Sequence, residues 1–331
     1  MLALRLLPRS RTLNTILVTR KLPAAVLKKL DSVGEVDLYA GESPIDPGEL
    51  CARVQGKQAI VSMLTEQIGR SVLDAGRELK IVANVAVGYN NIDVDYARSK
   101  GVIVTNTPDV LTESVADYTW ALILSITRRV VEGDRVVRRG AWKGWTFDFM
   151  LGADLRGKLL GLVGLGRIGR VVASRAPAFG MHVAYASRQQ SDARSMPGLE
   201  LEHVSLDQLL CSADVISIHV PLSPETRHLI DKRALARMKR SAYLVNTARG
   251  PIVDEDALAW ALEQRLIAGA ALDVYENEPA IHPQLLTLDN VVLAPHLGSG
   301  TIETRTAMAD LAVRNVVEVL SGRRPLTPVL A

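Results

Sequence analysis

The chain is poor in residues that bind metals or form cross-links. It has two cysteines in 331 residues, Cys51 and Cys211, and neither has a ligand-type neighbour at zinc spacing. So sparse a usage suits a reducing compartment. No two histidines combine metal-ligand spacing with a third ligand, so no metal is expected. No uncharged apolar stretch approaches the roughly 18 residues of a membrane span. Net charge is only +3, which leaves no dominant electrostatic partner. The arginine pairs 128–129, 138–139 and 323–324 are scattered and sit in no binding motif. They read as solvated helix faces and ends rather than as a nucleic-acid footprint. Internal repeats and low-complexity tracts are absent.

Apolar residues make up 48% of the chain, enough to build substantial cores, and the length suits two domains. The opening stretch MLALRLLPRSRTLNT carries Arg5, Arg9 and Arg11 and no acid. It resembles a mitochondrial transit peptide, but a basic tail ahead of the first strand accounts for it more simply. The expectation is therefore a cytoplasmic protein, with a mitochondrial address as the lesser reading.

Short β-branched runs alternate with helical patterns. TILVT (15–19), EVDLY, QAIVSML, LKIVANVAV and VIVTNT are strand candidates. PAAVLKKLDSVG reads as a helix with Pro23 near its start and Gly34 after its end. Such βα alternation implies a parallel sheet covered on both faces. Residues 107–140 read as one long helical segment opened by turn residues. Six further strand candidates follow, from LLGLVGLG to NVVLAPH, and predict a six-stranded doubly wound sheet. The segment 301–322 has helical spacing and ends at Gly322; a helix there could return to the first domain.

The stretch GLVGLGRIGRVVASRAPAFGMHVAYASR places Gly164, Gly166 and Gly169 between a strand and a helix, with a second strand beyond. That context turns a weak motif into a dinucleotide site. Gly164 permits the tight turn, Gly166 lets backbone approach a pyrophosphate, and Gly169 lets helix and strand pack closely. The helix start at Arg167 and Ile168 offers free N–H groups to phosphate. A ribose-binding acid is expected at the end of the second strand, but Ser187 and Arg188 stand there, and Asp192 comes only later. A serine and an arginine suit a 2′-phosphate, so the reading is NADP(H), with NAD(H) bound more weakly.

Hydride reduction of a carbonyl needs a substrate anchor, a proton donor and a group that tunes the donor. LVNTARG puts Arg249 past one strand, ALDVYENEP puts Asp273 and Glu278 past the next, and VVLAPHLGSG puts His296 past the last. Three strands thus deliver an arginine, carboxylates and a histidine to one sheet edge. His219 reads as a structural or cofactor-edge residue, and His182, His203, His228 and His282 as surface or packing positions.

The glycine turn, HVPLSPETRHLI, LVNTARG, ALDVYENEP and APHLGS occur in an order and spacing that resemble the D-isomer-specific 2-hydroxyacid dehydrogenases. Within that family the chain is most similar to glyoxylate/hydroxypyruvate reductases, from about Ile16 to its end. The resemblance implies an α/β fold of two doubly wound parallel-sheet domains. A Rossmann-type cofactor domain, 107–298, would be inserted into a flavodoxin-like substrate domain, 13–106 plus 299–331. It implies catalysis by Arg249, Glu278 and His296. Arg249 would hold the substrate carboxylate and polarise its carbonyl, His296 would exchange the proton, and Glu278 would favour the protonated imidazole. Asp273 would support the nicotinamide or orient the arginine. Val87 and Gly88 would offer backbone N–H groups to the substrate carboxylate. Trp145, with Trp142 as the other candidate, would close the pocket of a neighbouring subunit in a homodimer. Pro221, Thr226, Thr247 and Gly298 join Arg249, Asp273 and His296 as further cofactor contacts.

The implied activity is NADPH-dependent reduction of glyoxylate or hydroxypyruvate to glycolate or D-glycerate. An NAD-dependent D-2-hydroxyacid or D-3-phosphoglycerate dehydrogenase remains open. So does a cofactor-sensing protein like the family's transcriptional corepressors, which keep the same Arg-Glu-His set. Glu278 argues against a formate dehydrogenase, which pairs the histidine with glutamine. Val87 argues against a phosphite dehydrogenase, which carries a lysine there.

Overall fold

A computed structural model of the chain describes residues 14–190 and 199–329. The arginine-bearing start of the basic stretch and Asp192 lie outside them. The chain divides into two α/β units. One runs up to Leu111 and resumes at Ile302; the other is Thr112–Thr301.

In the first unit all five strand candidates form strands: β1 (Asn14–Val18), β2 (Gly34–Leu38), β3 (Ala59–Ser62), β4 (Ile81–Asn84) and β5 (Ile103–Thr105). They pair in parallel in the order β2-β1-β3-β4-β5, the flavodoxin-like order. Every residue of β3 and β4 is buried, as expected of strands covered on both faces. The segment after Pro23 is a short helix, Ala24–Leu27, that tightens into a 3-10 turn over Lys28–Ser32. Gly34 does not cap it. Gly34 opens β2, where a Cβ would lie 2.3 Å from the Asn14 carbonyl oxygen, so the close approach of β1 demands a glycine.

The helix Ile302–Leu320 packs on β3 and β4 of this unit. Its buried Asn315 donates to Leu311 O and Thr327 Oγ1 and accepts the N–H groups of Leu326 and Thr327. One amide thereby fixes the segment that bridges back to Thr105 through Pro328.

The second unit holds seven parallel strands rather than six. These are β6 (Leu159–Val163), β7 (His182–Ala186), β8 (Leu201–His203), β9 (Val215–Ile218), β10 (Tyr243–Asn246), β11 (Gly269–Leu272) and β12 (Val291–Leu293). The order is β12-β11-β10-β9-β6-β7-β8. The unforeseen strand, β8, is an edge strand of sequence LEH with no fully buried residue, so no apolar run announced it. Strand direction of growth reverses between β6 and β9, the switch point at which open α/β sheets bind ligands. Alternate strand residues feed two apolar layers. Ile216, Leu244 and Leu272 face one, and Val215, Val245 and Ala271 the other.

The segment expected as one long helix is two, Thr112–Thr127 and Val130–Arg138. Arg129 breaks it by adopting φ 54, and its guanidinium forks onto Glu132 at 2.8 and 2.7 Å. Among the described residues no helix is long and apolar enough to cross a membrane.

Candidate functional site

All seven strands of the second unit point the same way, so the loops that follow them share one edge. The first of these is the glycine turn after β6. Gly164 has φ 96, a backbone conformation that side chains resist, and a Cβ there would lie 2.7 Å from His219 O. Gly169 backs onto Gly164, with a Cβ position 2.6 Å from its carbonyl oxygen. Gly166 is different: a Cβ there would meet nothing within 4 Å. It stands at the start of the helix Arg167–Arg175, which has no side-chain cap. Two glycines thus serve packing, and the third leaves open space before the N–H groups of the helix start, the geometry a pyrophosphate needs. The turn is closed by Gly164 N donating to Ala186 O at 2.9 Å, which brings the end of β7 beside it.

Ser187 and Arg188 follow β7 directly. The Ser187 hydroxyl donates to Gln189 O, and His203 Nε2 lies 3.1 Å from Ser187 O. Arg188 is exposed, and its charge is felt by Glu225. The Ser223 hydroxyl hydrogen-bonds that carboxylate and, with Arg188, holds it below the usual range. On the neighbouring loop Thr226 Oγ1 donates to Pro221 O at 2.7 Å and accepts from Ser223 N at 2.8 Å. Thr247 meets Thr119 hydroxyl to hydroxyl at 3.0 Å.

The next three loops follow the adjacent strands β10, β11 and β12. Arg249 lies three residues past β10. Asn246 shapes its turn, accepting from Ala248 N at 3.0 Å and donating to Arg249 O at 2.9 Å. Burial pushes the Arg249 guanidinium down from its ordinary pKa, and Glu278 opposes this. Asp273, just past β11, is 1% exposed. Its carbonyl accepts His296 N at 3.0 Å, and its carboxylate accepts Leu297 N at 2.7 Å and Gly298 N at 2.8 Å. Burial and the nearby Glu278 charge push this carboxyl up against those donors. Held by the three bonds, His296 takes φ 55, a strained conformation of the kind found at functional sites. Ser114 Oγ completes the wall by donating to Gly298 O.

Glu278 meets His296 in this setting. Its Oε2 lies 2.9 Å from His296 Nδ1, and its Oε1 accepts Tyr275 N at 3.0 Å. Burial raises the Glu278 carboxyl, but these contacts and the Arg249 charge outweigh it, and the net direction is downward. An ionised carboxylate on one ring nitrogen leaves Nε2 for a proton exchanged with substrate. The structure therefore brings together Arg249, Asp273, Glu278 and His296 on one edge. Sequence reasoning missed Tyr275, Asn246 and Ser114; only the asparagine before the TARG turn carried a hint, as a turn former.

Val87 and Gly88 belong to the first unit, in the loop after β4. Asn106 Nδ2 donates to Val87 O at 2.8 Å and Asn84 Nδ2 to Gly88 O at 3.0 Å. Val87 O, held by Asn106, fixes the peptide that carries the Gly88 N–H, and Ala86 O, accepting Thr107 N at 2.8 Å, fixes the one that carries the Val87 N–H.

Trp145 is 80% exposed, with Trp142, Phe147 and Leu151 also bare. Among the described residues no hydrogen bond or ring contact ties it to the Arg249–His296 edge. A cavity of about 230 Å³ lies at the opposite edge, by the starts of β10 and β12. Arg129, Arg135, Tyr243 and Arg265 help line it, and it contains none of the expected site residues.

A family model for the NAD-binding domain of D-isomer specific 2-hydroxyacid dehydrogenases matches residues 120–298. A glyoxylate reductase of Thermococcus onnurineus is 46% identical over 318 residues, 95% of each chain. A solved Thermus thermophilus protein superposes with TM-score 0.90 at 44% identity, covering 96% of this chain and all of that one. An NADPH-dependent glyoxylate/hydroxypyruvate reductase from Sinorhizobium meliloti, solved with NADP and malonate, gives TM-score 0.86 at 36% identity over 96% and 97% of the two chains.

His219, behind the glycine turn, sets a pH dependence. Its Nε2 lies 2.9 Å from Ser217 Oγ, and burial pushes its pKa from 6.5 down to about 4. Between those values the unfolded chain binds a proton that the folded chain does not, so stability falls as pH drops through that window. The thermal midpoint should decline from pH 7 to pH 4, and His219→Gln should decline less. Equal declines in the two proteins would remove His219 as a cause.

Proposed function

Because the chain belongs to the D-isomer specific 2-hydroxyacid dehydrogenase family, we propose that it reduces glyoxylate and hydroxypyruvate with NADPH. The products are glycolate and D-glycerate. The observation that carries this reading is the Glu278–His296 contact at 2.9 Å beside the half-buried Arg249.

A bound nicotinamide supplies the hydride to the substrate's C2. Arg249 pairs with the substrate carboxylate and draws electron density from the carbonyl oxygen, a pairing strengthened by its burial. His296 gives its Nε2 proton to the developing alkoxide, and in the reverse direction takes it back. Glu278 holds the ring through Nδ1 and stabilises the imidazolium. Asp273 transfers no proton, because backbone N–H groups occupy both its oxygens. Val87 and Gly88 present N–H groups on peptides held through Ala86 O and Val87 O, an arrangement suited to a carboxylate.

The preference for NADPH rests on Ser187 and Arg188, which directly follow β7 where a ribose-binding acid is expected. Homodimerisation is supported by the exposed large apolar side chains of Val137, Trp142, Trp145, Phe147 and Leu151, of the kind that mark protein–protein contacts. In such a dimer Trp145 closes the partner's substrate pocket.

Three outcomes are expected. Replacing His296 with Asn should lower kcat for glyoxylate by about 10²–10⁴ while NADPH affinity, read by fluorescence, holds. Absence of turnover by the wild type with any small 2-oxo acid would sink the reading. Arg188→Ala should shift the NADPH-over-NADH ratio of kcat/KM by about 10–100-fold, the worth of one charge-assisted hydrogen bond. An unchanged ratio removes the role given to that side chain. Light scattering should report twice the 35.9 kDa of one chain, and a single-chain mass would refute the dimer.

A further inference from the structure

Glu278 sits in a loop, Tyr275 to His282, that leaves the sheet edge between β11 and β12. Its carboxylate meets Tyr275 N and His296 Nδ1, so its direction depends on how the loop is held. The holder is Glu255, the first residue of the helix Glu255–Glu263. It is 6% exposed, yet Asp254, not Glu255, caps the helix by accepting Ala257 N.

The Glu255 carboxylate accepts Glu276 N at 2.8 Å, and the backbone N–H of His282 reaches the same carboxylate. This buried acid therefore takes the Glu276 N–H two residues before Glu278, and the His282 backbone four residues after it favours the same charge. Between those points the loop closes on itself, with Ala280 N donating to Asn277 O at 2.9 Å.

The other side of the loop is walled by the Arg249 turn. A Cβ on Gly250 would lie 1.9 Å from Tyr275 C and 2.4 Å from Glu276 N, so the 275–276 peptide rests directly on glycine backbone. The Glu276 side chain pairs with His228 Nε2, and His228 N donates to Pro251 O at 2.8 Å. The peptide is thus wedged between the Arg249 turn and the Glu255 carboxylate. Burial, together with the Glu276 charge, pushes the Glu255 carboxyl up, while the two N–H donors pull it down. A carboxylate kept in so costly a place needs the Glu276 N–H donor.

We propose that Glu255 is a positioning residue for the Glu278–His296 pair: its carboxylate holds the loop at the Glu276 peptide, two residues before Glu278, and so fixes the oxygen that holds the imidazole. The proposal rests on the reading that Glu278 and His296 carry the acid–base step.

The test uses the full chain with NADPH and glyoxylate, and four variants: Glu255→Ala, Glu255→Asp, Glu278→Gln and the double variant E255D/E278Q. Asp keeps the buried charge but withdraws it by one methylene, which guards against a fold lost in the Ala variant. Both Glu255 variants should lose kcat, by up to about 100-fold for a misplaced catalytic group. NADPH affinity by fluorescence and the KM for NADPH should stay within about twofold, since the glycine turn is untouched. The high-pH fall-off of kcat should move to lower pH in Glu255→Asp, as in Glu278→Gln, because each weakens support for the imidazolium. E255D/E278Q should be no slower than Glu278→Gln alone, since a residue acting through Glu278 has nothing left to act on. Full kcat in Glu255→Asp, additive losses in the double variant, or a matching loss of NADPH affinity would overturn the proposal. A fully active Glu278→Gln would instead overturn the acid–base reading itself.

Discussion

Three successive N–H groups, those of His296, Leu297 and Gly298, converge on Asp273, and the reacting edge of the second unit depends on that convergence. It joins the end of β11 to the loop after β12. It also holds His296 at φ 55, where a histidine would not rest unaided; such strain costs on the order of 1–3 kcal/mol and persists only when neighbours over-determine it. Burial penalises the Asp273 charge and the backbone donors sustain it. The acid is therefore spent on backbone geometry, and Glu278 is left for the imidazole.

The parallel sheet supplies the other constraint. Adjacent strands lie about 4.8 Å apart, so short loops after three neighbouring strands bring their residues within reach of one another. Arg249, Glu278 and His296 follow β10, β11 and β12 in that spatial order. Glycine then sets how tightly those loops stack. Gly250 lets the Arg249 turn rest on the 275–276 peptide, as Gly164 lets the cofactor turn rest on His219. Both are close backbone approaches that any side chain would block.

Much of this was readable from residue order. The strands of both sheets announced themselves as apolar runs, because strands covered on both faces need them. The exception was β8, whose LEH sequence pairs only at an edge. The helical segment 107–140 looked continuous because its apolar spacing hardly falters at Arg129, and the break is a backbone event made tolerable by Glu132. Gly34 looked like a helix stop, but its reason is a strand 2.3 Å away from an absent Cβ. His228, read as a surface or packing position, pairs with Glu276, a partner its place in the sequence does not announce.

The sequence by itself determined the chemistry available: a glycine turn between strand and helix, a serine and arginine where an acid was expected, and an arginine, a glutamate and a histidine past successive strands. These are local facts of residue type and spacing, and local patterns survive in one dimension. Tertiary structure decided how each group is aimed. Which carboxylate takes the imidazole and which takes the backbone, and that a buried glutamate from a neighbouring helix holds the loop before Glu278, follow from contacts between residues 18 to 25 positions apart. Spacing along a chain cannot state such pairings, because the folded sheet edge creates the distances.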